Sequence, residues 1–144
     1  MKEKFINLYM DWAKRVAQLS HARRLQVGAV IVKDDCVISY GYNGMPAGWD
    51  NNCEHEMKWP NGEIRFLETK EEVLHAESNA ISKLAKSSNS GLNSTMFITH
   101  SPCLECAKLI FQSGVSTVYY NAEYRNTDGI QFLQKSGVTV VQSS

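Results

Sequence analysis

No run within the 144 residues approaches the roughly 18 consecutive apolar residues of a membrane span. The N-terminus likewise lacks the apolar stretch of a secretory signal. Neither sign of charge is in excess, since 15 Lys and Arg balance 15 Asp and Glu. A chain without a net field has no general attraction to nucleic acid or to an anionic bilayer. Cysteine is sparse too: there are four, and two lie in one short motif, which argues against a disulfide framework. Internal repeats, low-complexity tracts and domain boundaries are absent. The expectation is one cytoplasmic domain over residues 1–144, with a small-molecule substrate and neither a nucleic acid nor a membrane as partner.

The informative residues fall in two short stretches, His75-Ala76-Glu77 and Pro102-Cys103-Leu104-Glu105-Cys106. One imidazole and two thiols make the three protein ligands of a four-coordinate zinc site whose last position is left for water. Glu77 comes beside the metal without being needed as a ligand. Together the stretches match H-x-E followed by P-C-x-x-C, the signature of zinc-dependent nucleobase deaminases. Cysteines three apart share one face of a helix, Pro102 suits its first turn, and thiols at a helix N-terminus ionise readily. The spacing therefore predicts two helix N-termini converging on one metal. C-x-x-C also occurs in zinc ribbons and redox dithiols, but a ribbon needs a second ligand pair, and only Cys36 and Cys53 remain.

Residues 2 to about 21 carry Phe5, Leu8, Tyr9, Trp12, Val16 and Leu19 on a 3.6-residue period, which predicts an amphipathic helix with Trp12 in the core. Val27 to Val32 is a continuous apolar run, as in a buried strand. Asp34-Asp35 marks a turn, and Cys36 to Tyr42 reads as the second strand of a hairpin, with Cys36 as a buried small hydrophobe. From about 43 to 72 no period is sustained. A long loop of this kind inside a compact domain is usually functional, and 66–74 reads as a helix start leading into His75. Helix (His75 to Lys86), strand (Thr95 to Thr99), helix (to Gln112), strand (Ser116 to Tyr120), helix (Thr127 to Lys135) and strand (Val138 to Gln142) then alternate, with Gly114 and Gly137 as helix stops. This order predicts an α/β fold with a mixed five-stranded sheet. Ligands of such folds gather at the carboxyl ends of strands, where Asn43, Pro102 and Tyr120 each follow one.

Val27-Gly28-Ala29-Val30-Ile31-Val32, Gly41-Tyr42-Asn43-Gly44-Met45-Pro46-Ala47-Gly48, His75 to Ile81, and Pro102 to Lys108 with Gly114 carry a resemblance over nearly the whole chain. It resembles the deoxycytidylate (dCMP) deaminases of the cytidine deaminase superfamily, of the compact phage or bacterial type. The resemblance implies a three-layer α/β/α fold and hydrolysis of dCMP to dUMP and ammonia, feeding thymidylate synthesis, in the host cytoplasm if the chain is phage-encoded. It implies Zn2+ on His75, Cys103 and Cys106, with Glu77 as the catalytic proton shuttle. Substrate contacts would come from Asn43 to the sugar 3′-hydroxyl, from Ala76, from Tyr124 closing over the nucleotide, and from Arg24 to the phosphate with Arg23 as the alternative. The planar fork of Arg suits phosphate. It further implies a homohexamer activated by dCTP with Mg2+ and inhibited by dTTP, through an allosteric site lined by Gly44, Ala47, Gly48, Trp49 and Asp50 in the long 44–74 segment. Some phage relatives hold a second zinc there. Here only Cys53, His55 and His21 are present, and a surface Cys and His is the simpler reading.

Several rival functions share parts of this pattern. A tRNA adenosine deaminase has the same zinc chemistry but needs a basic groove for its polyanion, which zero net charge does not favour. A free cytidine deaminase would have no use for Arg24, whereas a deaminase of another cytosine nucleotide is separated only by comparing substrates. A catalytically inactive, nucleotide-sensing zinc module would have no use for Glu77.

Overall fold

The computed structural model describes all 144 residues. Five strands form the main sheet: β1 (Gly28–Lys33), β2 (Cys36–Tyr42), β5 (Thr95–His100), β6 (Thr117–Ala122) and β7 (Thr139–Gln142), in the order β2-β1-β5-β6-β7. β1 is antiparallel to both β2 and β5, whereas β5, β6 and β7 run parallel. The mixed five-stranded sheet expected from the sequence is therefore present. The β1–β2 turn falls on Asp34 and Asp35, both left-handed (φ 51° and 61°), which matches the twist of a tight hairpin.

Helices cover both faces. α1 (Glu3–Ala17) lies on one; α2 (Ala76–Ala85), α3 (Leu104–Gln112) and α4 (Asp128–Lys135) lie on the other. Alternate residues of the central strands serve the two cores. Val30, Val32 and Phe97 face α1, while Ala29, Ile31, Met96 and Ile98 face the other helices. Phe97 has no exposed surface and sits between Tyr9 and Tyr119, at centroid distances of 5.4 and 5.1 Å. A fully buried side chain of this size stabilises by roughly 1.5–3 kcal/mol, and each aromatic pair adds about 0.5–1.5 kcal/mol.

The structure corrects five sequence-based expectations about the fold. α1 stops at Ala17 rather than near 21. Beyond it the Ser20 hydroxyl donates to the Asn43 carbonyl (2.7 Å) and accepts from Ala22 N–H (3.1 Å), which turns the chain towards β1. Trp12 is 45% exposed, because the face of α1 against the sheet is Tyr9, Met10, Ala13, Val16 and Ala17. Close approach of helix to strand selects small residues: a Cβ on Gly28 would collide with Ala13 O. The bulkier Phe5, Leu8, Trp12 and Leu19 are left outside.

Cys36 is exposed at the hairpin tip, whereas Cys53, read as a surface residue, is 1% exposed and packs with Ala22, Val73 and Met45. His55 lies exposed across from Glu68. The 44–74 segment contains a separate two-stranded hairpin, β3 (Glu54–Lys58) and β4 (Ile64–Thr69), so 66–74 does not begin a helix. β3 is mostly polar, and β4 exposes Ile64 and Phe66 instead of burying them, so neither strand has the buried face whose alternation a sequence reading relies on.

Candidate active site

At one edge of the main sheet the ends of β2 and β5 meet the beginning of β1. Gly28 pairs with Tyr42, and Ala29 with Ile98. α2 starts beside this edge. Its approach to β2 depends on Gly41, whose added Cβ would press on Ala76 O and lie 2.6 Å from Ala80 N. The Asn79 amide donates to Tyr42 O (2.8 Å) and fixes the same contact. α3 begins directly after β5. Gly129 of α4 packs on the turn ahead of α3, where any Cβ would collide with Pro102 O.

The two helix starts bring the sequence motifs together. His75 is the N-cap of α2 and Cys103 the N-cap of α3; Cys106 lies in the first turn, its N–H donating to Cys103 Sγ at 3.5 Å. Pro102 therefore precedes the N-cap instead of occupying the first turn. His75 Nδ1 is 3.6 Å from Cys103 Sγ and 3.3 Å from Cys106 Sγ. The ligand atoms of all three lie within 4.8 Å of one another.

The donor chemistry fits zinc. Hydrogen bonding with the Cys106 thiol and with His75 pulls the Cys103 thiol well below its usual range, which favours the thiolate. The Cys106 thiol is pushed up by that same neighbour and by burial. A thiolate and a thiol crowded against an imidazole nitrogen are what a thiophilic divalent cation would organise, since it replaces the shared protons. Glu77 is 4% exposed, and burial raises its carboxyl to about 7. It can therefore exist in either protonation state near neutrality, as a proton shuttle must.

A pocket of about 230 Å³ opens on this cluster. His75, Ala76, Glu77 and Cys103 line it together with Asn43, Arg24 and Tyr124. The Asn43 side chain is held at both ends, accepting from Val27 N–H (2.9 Å) and donating to Leu25 O (2.8 Å). Arg24 Nη1 donates to Thr69 Oγ1 at 3.4 Å, and Arg24 also approaches the phenol of Tyr124, helping to lower its pKa behind the larger effect of Arg125. Arg23 points the other way, into ion pairs with Glu54 (3.5 Å) and Glu56 (3.0 Å). Tyr120 is buried in β6 and does not line the pocket; Tyr124 does, its N–H held by Ser101 Oγ at 2.7 Å.

Thr69, Ser101 and His100 also line the pocket. None of the three is assigned to the substrate from the sequence. Ser101 stands next to the Pro-Cys motif and could have been suspected; Thr69 is remote from every motif.

A second cleft, of about 550 Å³, is lined by Gly44, Ala47 and Gly48 with His21, Lys83 and Lys86. Trp49 is 56% exposed outside this lining, and Asp50 instead caps Asn52 N–H at 2.8 Å.

Comparison with known proteins gives a consistent result. The model of the cytidine and deoxycytidylate deaminase zinc-binding region matches residues 3–122. ComE operon protein 2 of Bacillus subtilis is 36% identical over 135 residues, covering 93% of this chain and 68% of that protein. The deoxycytidylate deaminase of Enterobacteria phage T4 is 35% identical over 159 residues, covering 87% and 82%. The crystal structure of dCMP deaminase from the cyanophage S-TIM5, in complex with dCMP and dUMP, superposes with a TM-score of 0.87 at 44% identity, over 99% of each chain.

Proposed function

This chain belongs to the cytidine and deoxycytidylate deaminase family, and on that premise we propose that it hydrolyses dCMP to dUMP and ammonia. The observation that carries the proposal is a single pocket lined at once by His75, Cys103 and Glu77, by Asn43, and by the guanidinium of Arg24. Base, sugar and phosphate of a monophosphate each meet a partner of suitable chemistry there.

Zinc on His75, Cys103 and Cys106 would supply Lewis acidity that lowers the pKa of a water molecule. Glu77 moves the protons. Its carboxylate takes one from the water, delivers it to N3 of the cytosine ring as oxygen adds at C4, and then passes a second to the departing amine. The protons balance: water contributes both, the ring keeps one at N3, and ammonia leaves with the other. Burial raises the Glu77 carboxyl and so favours its taking up the proton it must carry. Asn43, anchored to Val27 and Leu25, keeps a free amide hydrogen for the sugar 3′-hydroxyl. Arg24 faces the phosphate, and its planar fork can give two parallel hydrogen bonds.

The test is turnover of dCMP, CMP, deoxycytidine and dCTP by the zinc-loaded protein. The proposal requires dCMP to be preferred over deoxycytidine by at least about tenfold, the scale of one charge-assisted hydrogen bond. Equal turnover would remove the phosphate from the recognition. Binding of dCTP and dTTP without any deamination would instead favour a sensor.

The proposal extends to regulation through the second cleft. Glycines allow close approach to phosphates, and Lys83 and Lys86 supply positive charge. dCTP with Mg2+ would activate and dTTP inhibit, within a homohexamer in the cytoplasm. Light scattering gives the assembly state. Lys83→Ala with Lys86→Ala should flatten the response of dCMP turnover to both triphosphates.

A further inference from the structure

Glu54 is a buried carboxylate that the chemistry described so far does not use. Its side chain is 1% exposed at the start of β3, and Oε1 accepts no hydrogen bond although Arg23 Nε lies 3.5 Å away. Burying such a group incompletely paired costs stability, so its role is sought in what Oε2 does. Oε2 accepts from two consecutive backbone N–H groups, Arg23 (3.0 Å) and Arg24 (3.1 Å). One oxygen thus fixes the direction of both amides, and the two side chains leave in different directions. Arg23 goes out to Glu56 and Asn52, while Arg24 enters the pocket.

The hairpin register completes the arrangement. Glu54 pairs with Thr69, and Thr69 Oγ1 receives the Arg24 guanidinium at 3.4 Å while lining the same pocket. A carboxylate near a phosphate site would normally repel the ligand. Here Arg23 offsets Glu54 and Glu56, and Arg24, which has no ion pair, keeps its charge for an incoming anion. The long bond to Thr69 is weak enough to yield to a phosphate oxygen.

We infer that the base of the β3–β4 hairpin is the phosphate-selectivity element of this enzyme: Glu54 is a positioning residue that aims Arg24, and the Thr69 hydroxyl is a direct phosphate contact. The inference rests on the dCMP reading above and deepens it.

The test compares kcat/KM for dCMP and for deoxycytidine in the zinc-loaded full chain. Glu54→Gln keeps the shape but removes the charge that orders two amides, and it should lower kcat/KM for dCMP about tenfold. The loss should lie in KM, and deoxycytidine turnover should change less than about twofold. Once Arg24→Ala is present, adding Glu54→Gln should cost dCMP turnover nothing more. Thr69→Val, at a strand position that accepts a β-branched side chain, provides a probe that does not disturb a buried charge. It should lower dCMP turnover about threefold to tenfold, again through KM.

Equal losses on both substrates in Glu54→Gln would make Glu54 a structural residue only and overturn its positioning role. An unchanged dCMP preference in both variants would overturn the whole inference while leaving the dCMP reading intact. Should Glu54→Gln not fold, Thr69→Val decides: an unaltered preference overturns the inference. A wild-type protein without preference for dCMP would remove the reading and the inference together.

Discussion

The two ends of the pocket are built in opposite ways. At the metal end, His75, Cys103 and Cys106 sit on the starts of α2 and α3, two helices anchored by fully buried residues such as Ala80, Ala107 and Ile110. At the end proposed to take the phosphate, Arg24 and Thr69 come from a connecting turn and an exposed hairpin, and are joined by one buried carboxylate. The first construction holds reacting groups rigidly, as placement to about half an ångström demands. The second relies on a few polar bonds, each worth about 0.5–3 kcal/mol, and can be altered without unfolding the core. On the proposed reading, chemistry is held by the packed helices and substrate choice by the exposed hairpin.

That contrast can be broken by mutation. Cys106→Ala should abolish zinc retention, measured by metal analysis, and reduce dCMP turnover to background, because the remaining pair cannot hold the cation. Glu77→Gln should keep zinc yet lose about 10²–10⁴-fold in kcat, the usual contribution of a positioned proton shuttle. A variant with near wild-type kcat would take Glu77 out of the reaction.

Backbone packing gives the next largest effect. Gly129→Ala forces a Cβ against Pro102 O, and strain of this kind typically costs about 1–3 kcal/mol. It should lower both Tm and zinc affinity, since the displaced turn leads into Cys103. If Tm falls but zinc affinity does not, the start of α3 is less tightly coupled to α4 than the contact implies. The smallest change is expected in the outer hairpin. Arg65 lies over Trp59 at 4.6 Å, an exposed cation–π contact worth about 0.5–1 kcal/mol. Arg65→Ala should shift Tm by a few degrees at most and leave dCMP turnover unchanged; a large loss would mean that the outer hairpin also shapes the pocket.

Legibility in the sequence follows the same division. Three metal ligands and a carboxylate could be named because zinc chemistry restricts residue type and helix geometry restricts spacing, so both leave a short local pattern. The α/β alternation was readable because buried strands need continuous apolar runs. The β3–β4 hairpin is not, since strands exposed on both faces carry no such pattern, and the apolar residues of 66–74 imitate a helix start. Trp12 was placed in the core because periodicity counts apolar residues without asking which can approach a sheet. The structure selects Ala13 and Ala17, on the side where Gly28 leaves room. Cys36 and Cys53 were misplaced for a related reason: their exposure depends on the hairpin tip and on Ala22 and Val73, which are distant in the chain.

By itself the amino-acid sequence determined the reaction's core: a thiolate–imidazole donor set, a carboxylate two residues from its histidine, and the helices and strands that carry them. These depend on neighbours in the chain and on chemical type. Which arginine faces the pocket, and that Glu54 and Thr69 stand behind it, only the tertiary structure decided. The carboxylate accepts from two amides 31 and 30 residues away, and a contact between segments so far apart has no local signature.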